Sequence, residues 1–178
     1  MKTTIYTIGH SSRSLSQLLR LLRDKSVELV VDVRRWPSSK RFPWFNRSVL
    51  EEALRRHAIG YEWLGEVLGG YRRFGVDVED NGGATCFRSQ GFRAYALYVT
   101  TNKKAQEALR QIEEKAKSRV TTILCMERIP WRCHRKIIAD ILVLHGLRVV
   151  HIIDEGYEVE HRPSRCARLQ ADGKVVYV

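Results

Sequence analysis

Three runs in this chain are apolar almost without interruption: ELVVDV at Glu28–Val33, VTTILCM at Val120–Met126 and LRVVHII at Leu147–Ile153. A strand with one face in water alternates apolar and polar residues. A strand covered on both faces has no reason to. Runs this short, rich in valine, isoleucine and threonine, suit buried strands better than buried helices. They therefore predict a parallel sheet with helices packed on both sides.

The segments between the runs carry the matching helical signals. TIYTI at Thr4–Ile8 reads as a first strand, and SLSQLLRLL follows it. There Ser14 stands as N-cap, Gln17 completes a capping-box pattern, and Leu15, Leu18, Leu19 and Leu22 form one apolar stripe. RRWPSSKRFPWFNR, residues 34–47, contains two prolines and reads as a loop. A helix is expected over Val49–His57, capped by Asn46 or Ser48. The glycine-rich segment after it, 60–75, reads as irregular. VEDNGGATCFRSQGF at 78–92 reads as an exposed loop or lid. Two helical pieces meet at Asn102, and a last helix is expected over Trp131–His145 with Gly146 beyond it. The expected fold is α/β, a mostly parallel central sheet with helices on both faces in a single domain over residues 1–153. Residues 154–178 are a tail, with GKVVYV as a short edge strand.

Composition narrows the class. The chain has 178 residues, 44% hydrophobic and 29% charged, as a folded single domain does. No apolar run reaches the roughly 18–20 residues a membrane span needs, so no membrane partner is expected. The N-terminus lacks a secretory pattern, and a cytoplasmic location is expected. Lysine and arginine number 31 against 20 acidic residues, a net charge of +11. Such an excess attracts polyanions, with nucleic acid first and phosphorylated small molecules second, unless the surface is merely basic.

The four cysteines, Cys86, Cys125, Cys133 and Cys166, form no CxxC pair. Adjacent Cys133 and His134 suit a single-ion chelate poorly, so no metal is expected, and all four are expected as free thiols. There is no GxGxxG and no GxxxxGK[ST] pattern, so no nucleotide cofactor is expected.

The chemistry gathers after three strands. GHSSR follows the first, DVRRWP closes the second, and CMERIPWRCHR follows the third. In parallel sheets ligands sit beyond the carboxyl ends of the strands, so these loops are expected to share one rim. Glu127, Asp32, His10 and Cys133 are the candidate catalytic residues. Ser12, Arg13, Arg34, His134 and Arg135 are the candidate anion ligands, helped by free N–H groups at a helix start near Arg132. Trp36, Arg41, Trp44, Phe45 and Arg47 are candidates for stacking bases or contacting nucleic acid. Asp32 equally suits a buried ion pair, and the three aromatics equally suit a satellite core. Cys133 beside His134 has the surroundings of an activated thiol, but the phosphatase spacing of cysteine and arginine six apart is absent.

Taken together, IYTIGHSSRSLSQLLRLL, LVVDVRRWPSSKRFPWFNR, IGYEWLGEVLGG, GFRAYALYVTT and CMERIPWRCHRKIIADIL resemble the domain-of-unknown-function family numbered 488. The resemblance covers roughly residues 4–153. It implies a compact α/β domain, uncharacterised in activity, and carries over His10, Ser12, Arg13, Asp32, Arg34, Pro37, Ser38, Asn46, Cys125, Glu127, Cys133, His134 and Arg135.

The expected function is that of an enzyme hydrolysing a phosphodiester or N-glycosidic bond of a nucleic acid or nucleotide. In that reading Arg13, Arg34 and Arg135 bind phosphate, and Glu127 or Asp32 is the acid/base. The alternatives are a cysteine-dependent sulfurtransferase- or phosphatase-like enzyme, and a nucleic-acid-binding module without catalysis.

Overall fold

The computed structural model describes residues 1–178. In chain order the elements are β1 (Thr4–Gly9), α1 (Leu15–Asp24), β2 (Leu29–Asp32), α2 (Arg47–Arg56), β3 (Gly60–Trp63), α3 (Gly65–Leu68), α4 (Gln90–Thr101), α5 (Lys103–Ser118), β4 (Thr121–Cys125), α6 (Arg135–Leu144), β5 (Arg148–Asp154), β6 (Tyr157–Glu160), β7 (Ala167–Leu169) and β8 (Val175–Tyr177). Six strands form one sheet in the order β3-β2-β4-β1-β5-β6. All neighbours are parallel except β5 and β6. The expected α/β fold with a mostly parallel sheet is the observed one.

Every residue of β2 and β4 is buried, which is why neither run alternates. One face of the sheet packs Ile8, Val30, Leu124 and Ile152 against the leucine stripe of α1 and Leu50 and Leu54 of α2. The other face packs Ile5, Val31, Ile123 and Val149 against α4, α5 and α6. The capping box of α1 is present, Gln17 N–H donating to Ser14 Oγ at 3.1 Å and Ser14 N–H donating to Gln17 Oε1 at 2.8 Å. Asn102 caps α5 through the Ala105 N–H at 3.0 Å. Asn46 precedes α2 but leaves it uncapped by a side chain, because its Oδ1 accepts from Ser39 N–H and closes the loop instead.

Two departures matter for the site. The last helix does not begin at Trp131. Pro130–Arg132 make a 3₁₀ turn, Cys133 is extended at φ −126° and ψ 152°, and α6 starts only at Arg135. The segment read as irregular contains strand β3, which pairs along β2 from Leu29 and Gly60 to Asp32 and Trp63.

The tail is bound into the same body. β6 extends the main sheet, while β7 and β8 pair separately. Asp140 of α6 accepts from His161 Nε2 at 2.7 Å, Ser164 N–H at 2.9 Å and Tyr177 OH at 3.2 Å. A directional chain feeds His161: Arg135 donates to Thr7 Oγ1, Thr7 to His151 Nδ1, and His151 Nε2 to His161 Nδ1. Cys86 and Cys166, expected as free thiols, are joined in a disulfide that ties the 78–89 loop to the tail. No helix is long and apolar enough to cross a membrane.

Candidate functional site

The strand order fixes where a cavity opens. From β2 the chain turns to β3 on one side, and from β4 it crosses to β5 on the other. The loops leaving these two adjacent strands therefore diverge, and a crevice is left beyond their carboxyl ends. On the far side of β4, Gly9 of β1 pairs with Cys125, and the His10 and Ser11 N–H groups continue the ladder to the carbonyls of Cys125 (2.9 Å) and Met126 (2.8 Å). A Cβ on Gly9 would lie 2.0 Å from the Glu127 carbonyl oxygen, so only glycine lets the β4 loop fold over the end of β1. The resulting cavity has a volume of about 470 Å³.

Its floor is Cys125, Cys133 and His134. The extended turn at Cys133 brings its sulfur back beside the end of β4. Donor atoms of the three residues lie within 4.8 Å of one another, with Cys133 Sγ 3.7 Å from His134 Nδ1. They are also the chain's only group of three or more side chains placed to hold a metal ion. Apart from the Cys133 contact at Nδ1, His134 is fixed by shape. The Tyr95 ring meets it edge-on at 4.9 Å, and a Cβ on Gly70 would press 2.9 Å from its Nδ1. Its buried Nε2 has no partner.

The neighbouring Cys125 thiol holds the Cys133 thiol well below its ordinary range despite burial, with His134 and Arg135 adding to the effect. The same proximity, with burial, pushes Cys125 well up.

The wall from β1 and β2 is a locked network. Asp32, fully buried, accepts from Arg34 Nε at 2.9 Å, Arg34 Nη2 at 2.6 Å and Tyr61 OH at 2.6 Å. Arg34 then donates to the Phe45 carbonyl at 2.8 Å and to His10 Nε2 at 3.2 Å. Because Nε2 accepts, His10 carries its proton on Nδ1, which donates to the Ser11 carbonyl at 3.0 Å. Burial, then the Arg34 charge, lowers His10 to about 4, so it is neutral near pH 7. Asp32 thus forms the buried ion pair, with Tyr61 as an unforeseen partner, and does not line the cavity.

Of the residues singled out from the sequence, His10, Arg34, Trp36, Ser38, Cys125, Glu127, Cys133 and His134 line the cavity. The others do not. Arg13 is buried against the carbonyls of Gly9 and Ile153 and pairs with Asp154 at 3.4 Å. Arg135 is buried under Thr7 and the Glu127 carbonyl. An anion site built on Arg13, Arg34 and Arg135 together is therefore not formed, because each guanidinium is committed inside the fold. Ser12 is exposed outside the cavity. Phe45 stacks on His10 at 4.3 Å, and Trp44 Nε1 donates to the Arg13 carbonyl at 2.9 Å, so both pack beneath the loop. Arg41 lies over Phe42 and Arg47 over Trp63, both outside the cavity.

Among the lining residues that escaped the sequence reading are Tyr71 and Tyr95. Tyr95 sits in an apolar helix stripe and looks like any core residue. Tyr71 follows Gly69-Gly70, and that pair was the one available sign of a special backbone there.

The family model described as Domain of unknown function DUF488 matches residues 14–142 of the chain. The chain belongs to the DUF488 family. Comparison with curated proteins and with solved structures finds no match. The cavity's β1 rim, Gly9 and His10, precedes the matched span, whereas the floor residues fall inside it.

Proposed function

We propose that this DUF488 protein is a cysteine-dependent enzyme acting on a nucleic acid or a phosphorylated small molecule. The observation that supports the reading is the placement of Cys133 Sγ beside the Cys125 thiol and the His134 imidazole, at the bottom of a cavity rimmed by Arg34, Arg35 and Arg132. The Cys133 thiolate attacks an electrophilic atom of the substrate. The bond to the leaving group breaks, its electron pair departs with that group, and Glu127 supplies the proton. Water then attacks the Cys133 adduct, Glu127 takes up its proton, and the thiolate returns as leaving group. The net reaction is hydrolysis. A cytoplasmic setting belongs to the same proposal, with Cys125 and Cys133 as free thiols beside the Cys86–Cys166 disulfide.

Direct hydrolysis of a phosphodiester or N-glycosidic bond with Glu127 as acid/base is the second reading. It is favoured by the place of Glu127 on the same wall, where its Oε1 accepts from the Ile129 N–H at 3.1 Å.

Iodoacetamide labelling followed by peptide mass mapping tests the first reading. Cys133 is expected to alkylate at neutral pH well ahead of Cys125, and ahead of the same cysteine in unfolded protein. Equal rates for the two would sink the thiolate assignment. On a panel of nucleotides and oligonucleotides, turnover that survives Cys133→Ser but not Glu127→Gln selects the second reading.

A further inference from the structure

The mouth of the cavity carries a feature that neither chemistry uses. Trp36 and Tyr71 both line it, and they are 61% and 71% exposed, the most exposed tryptophan and tyrosine in the chain. Their ring centroids are 5.5 Å apart at an interplanar angle of 42°. Two large rings left in water contribute little to stability. They form a continuous apolar ledge above the thiol floor.

The ledge is braced. Tyr71 has φ +61°, a left-handed conformation that strains a bulky residue and persists only where neighbours enforce it. Arg35 is the enforcer. Its Nη1 donates to the Tyr71 carbonyl at 2.7 Å, its guanidinium lies 5.1 Å from the Trp36 ring centroid, and Asp77 holds it from behind at 3.5 Å. One side chain thus sets both rings. With Arg35 and Arg34 committed, Arg132 is the cavity arginine whose side chain makes no hydrogen bond or ion pair.

We infer that the Trp36–Tyr71 ledge stacks the flat heterocyclic base of a phosphorylated substrate, with Arg132 as the counter-charge for its phosphate. A cavity of this size accommodates a mononucleotide-sized ligand. A base exposed in a single strand offers the same ring and phosphate, and stacking on aromatic side chains tolerates any base. The binding mode stands without the cysteine chemistry. Only the fate of the bound substrate rests on the thiol reading.

The test is titration of the full-length protein with its Cys86–Cys166 disulfide intact, by calorimetry and tryptophan fluorescence, with the four ribonucleoside monophosphates, ribose 5-phosphate and a short single-stranded oligonucleotide. The monophosphates are expected to bind about ten-fold or more tightly than ribose 5-phosphate, which keeps the charge and lacks the ring. Tyr71→Gly removes the ring and relieves the strained backbone, so it should fold at least as well and lose the base preference. Trp36→Ala should do the same, and Trp36→Phe should restore much of it. Arg132→Gln should weaken the monophosphates and ribose 5-phosphate alike. Tighter binding of the oligonucleotide than of the monomers assigns the ledge to a strand, and the reverse to a free nucleotide. Equal affinity for ribose 5-phosphate and the monophosphates, unchanged binding by Tyr71→Gly, or no binding of any base-bearing ligand overturns the inference. Alkylation of Cys133 is measured without these ligands, so either idea can fail alone.

Discussion

Replacing Asp32 by Asn separates a structural carboxylate from a catalytic one. The two side chains are nearly isosteric, so packing is preserved. The carboxylate accepts at 2.9 Å and 2.6 Å from the Arg34 guanidinium, at 3.0 Å from the Arg34 N–H and at 2.6 Å from Tyr61 OH. An amide has one acceptor oxygen, and it would turn an NH₂ group towards donors. Arg34, with a side chain only 5% exposed, would keep its charge and lose its partner. Breaking a buried pair from one side costs about 3–5 kcal/mol. For a chain of this length each kcal/mol moves the melting temperature by about 2–4 °C, so the shift is on the order of 10 °C. Urea unfolding followed by circular dichroism gives the free energy directly. Asp32→Leu combined with Arg34→Met should recover part of the loss. It should not recover all of it, because Arg34 also holds the Phe45 carbonyl and His10. If Asp32→Asn unfolds within 1 kcal/mol of wild type and abolishes turnover, the ion-pair account fails and the carboxylate is catalytic.

Acid should weaken the fold at a defined pH. His10 and His151 are lowered to about 4 and about 3, chiefly by burial, so between there and their ordinary value near 6.5 the unfolded chain binds protons that the folded chain refuses. Stability is therefore full above about pH 6.5 and falls as pH drops towards 4, by on the order of 3 kcal/mol for His10 alone. Urea titrations across that range check it, and a flat profile refutes it. Cys86→Ser with Cys166→Ser opens a link across 80 residues and should lower stability by about 2–4 kcal/mol. Unfolding under non-reducing conditions measures this, and no change would mean the tail is held by its Asp140 contacts alone.

The sheet was legible because burial on both faces leaves a mark in composition. Val30 and Ile123 sit in runs that nothing but a covered strand explains. β3 was not legible, since GYEW at a sheet edge is half-buried throughout and carries no alternation. The start of α6 was misplaced because Pro130 and Arg132 look like a helix N-terminus, while the extended turn at Cys133 depends on tertiary contacts with β4. Cys86 and Cys166 were misread for a related reason. Their pairing depends on the tail folding back over α6, which no local pattern announces. The convergence of His10, Arg34 and Glu127 was foreseeable from parallel strands alone. The direction each side chain takes at the rim was not.

That last point explains how a charge of +11 is used. Four arginines are buried, Arg13, Arg34, Arg72 and Arg135. Each donates to backbone carbonyls: of Gly9 and Ile153, of Phe45, of Glu66 and Gly69, and of Glu127. A guanidinium has five donors in a rigid fork, so one side chain can clamp a loop at several points at once. Long loops leaving strand ends need such clamps, because their carbonyls have no ladder to join. Clustered arginine after a strand therefore signals loop anchoring as strongly as anion binding. With those charges committed, Arg132 alone cannot define a substrate by its phosphate. In the proposed binding mode selectivity comes from a second contact, which the exposed rings of Trp36 and Tyr71 supply.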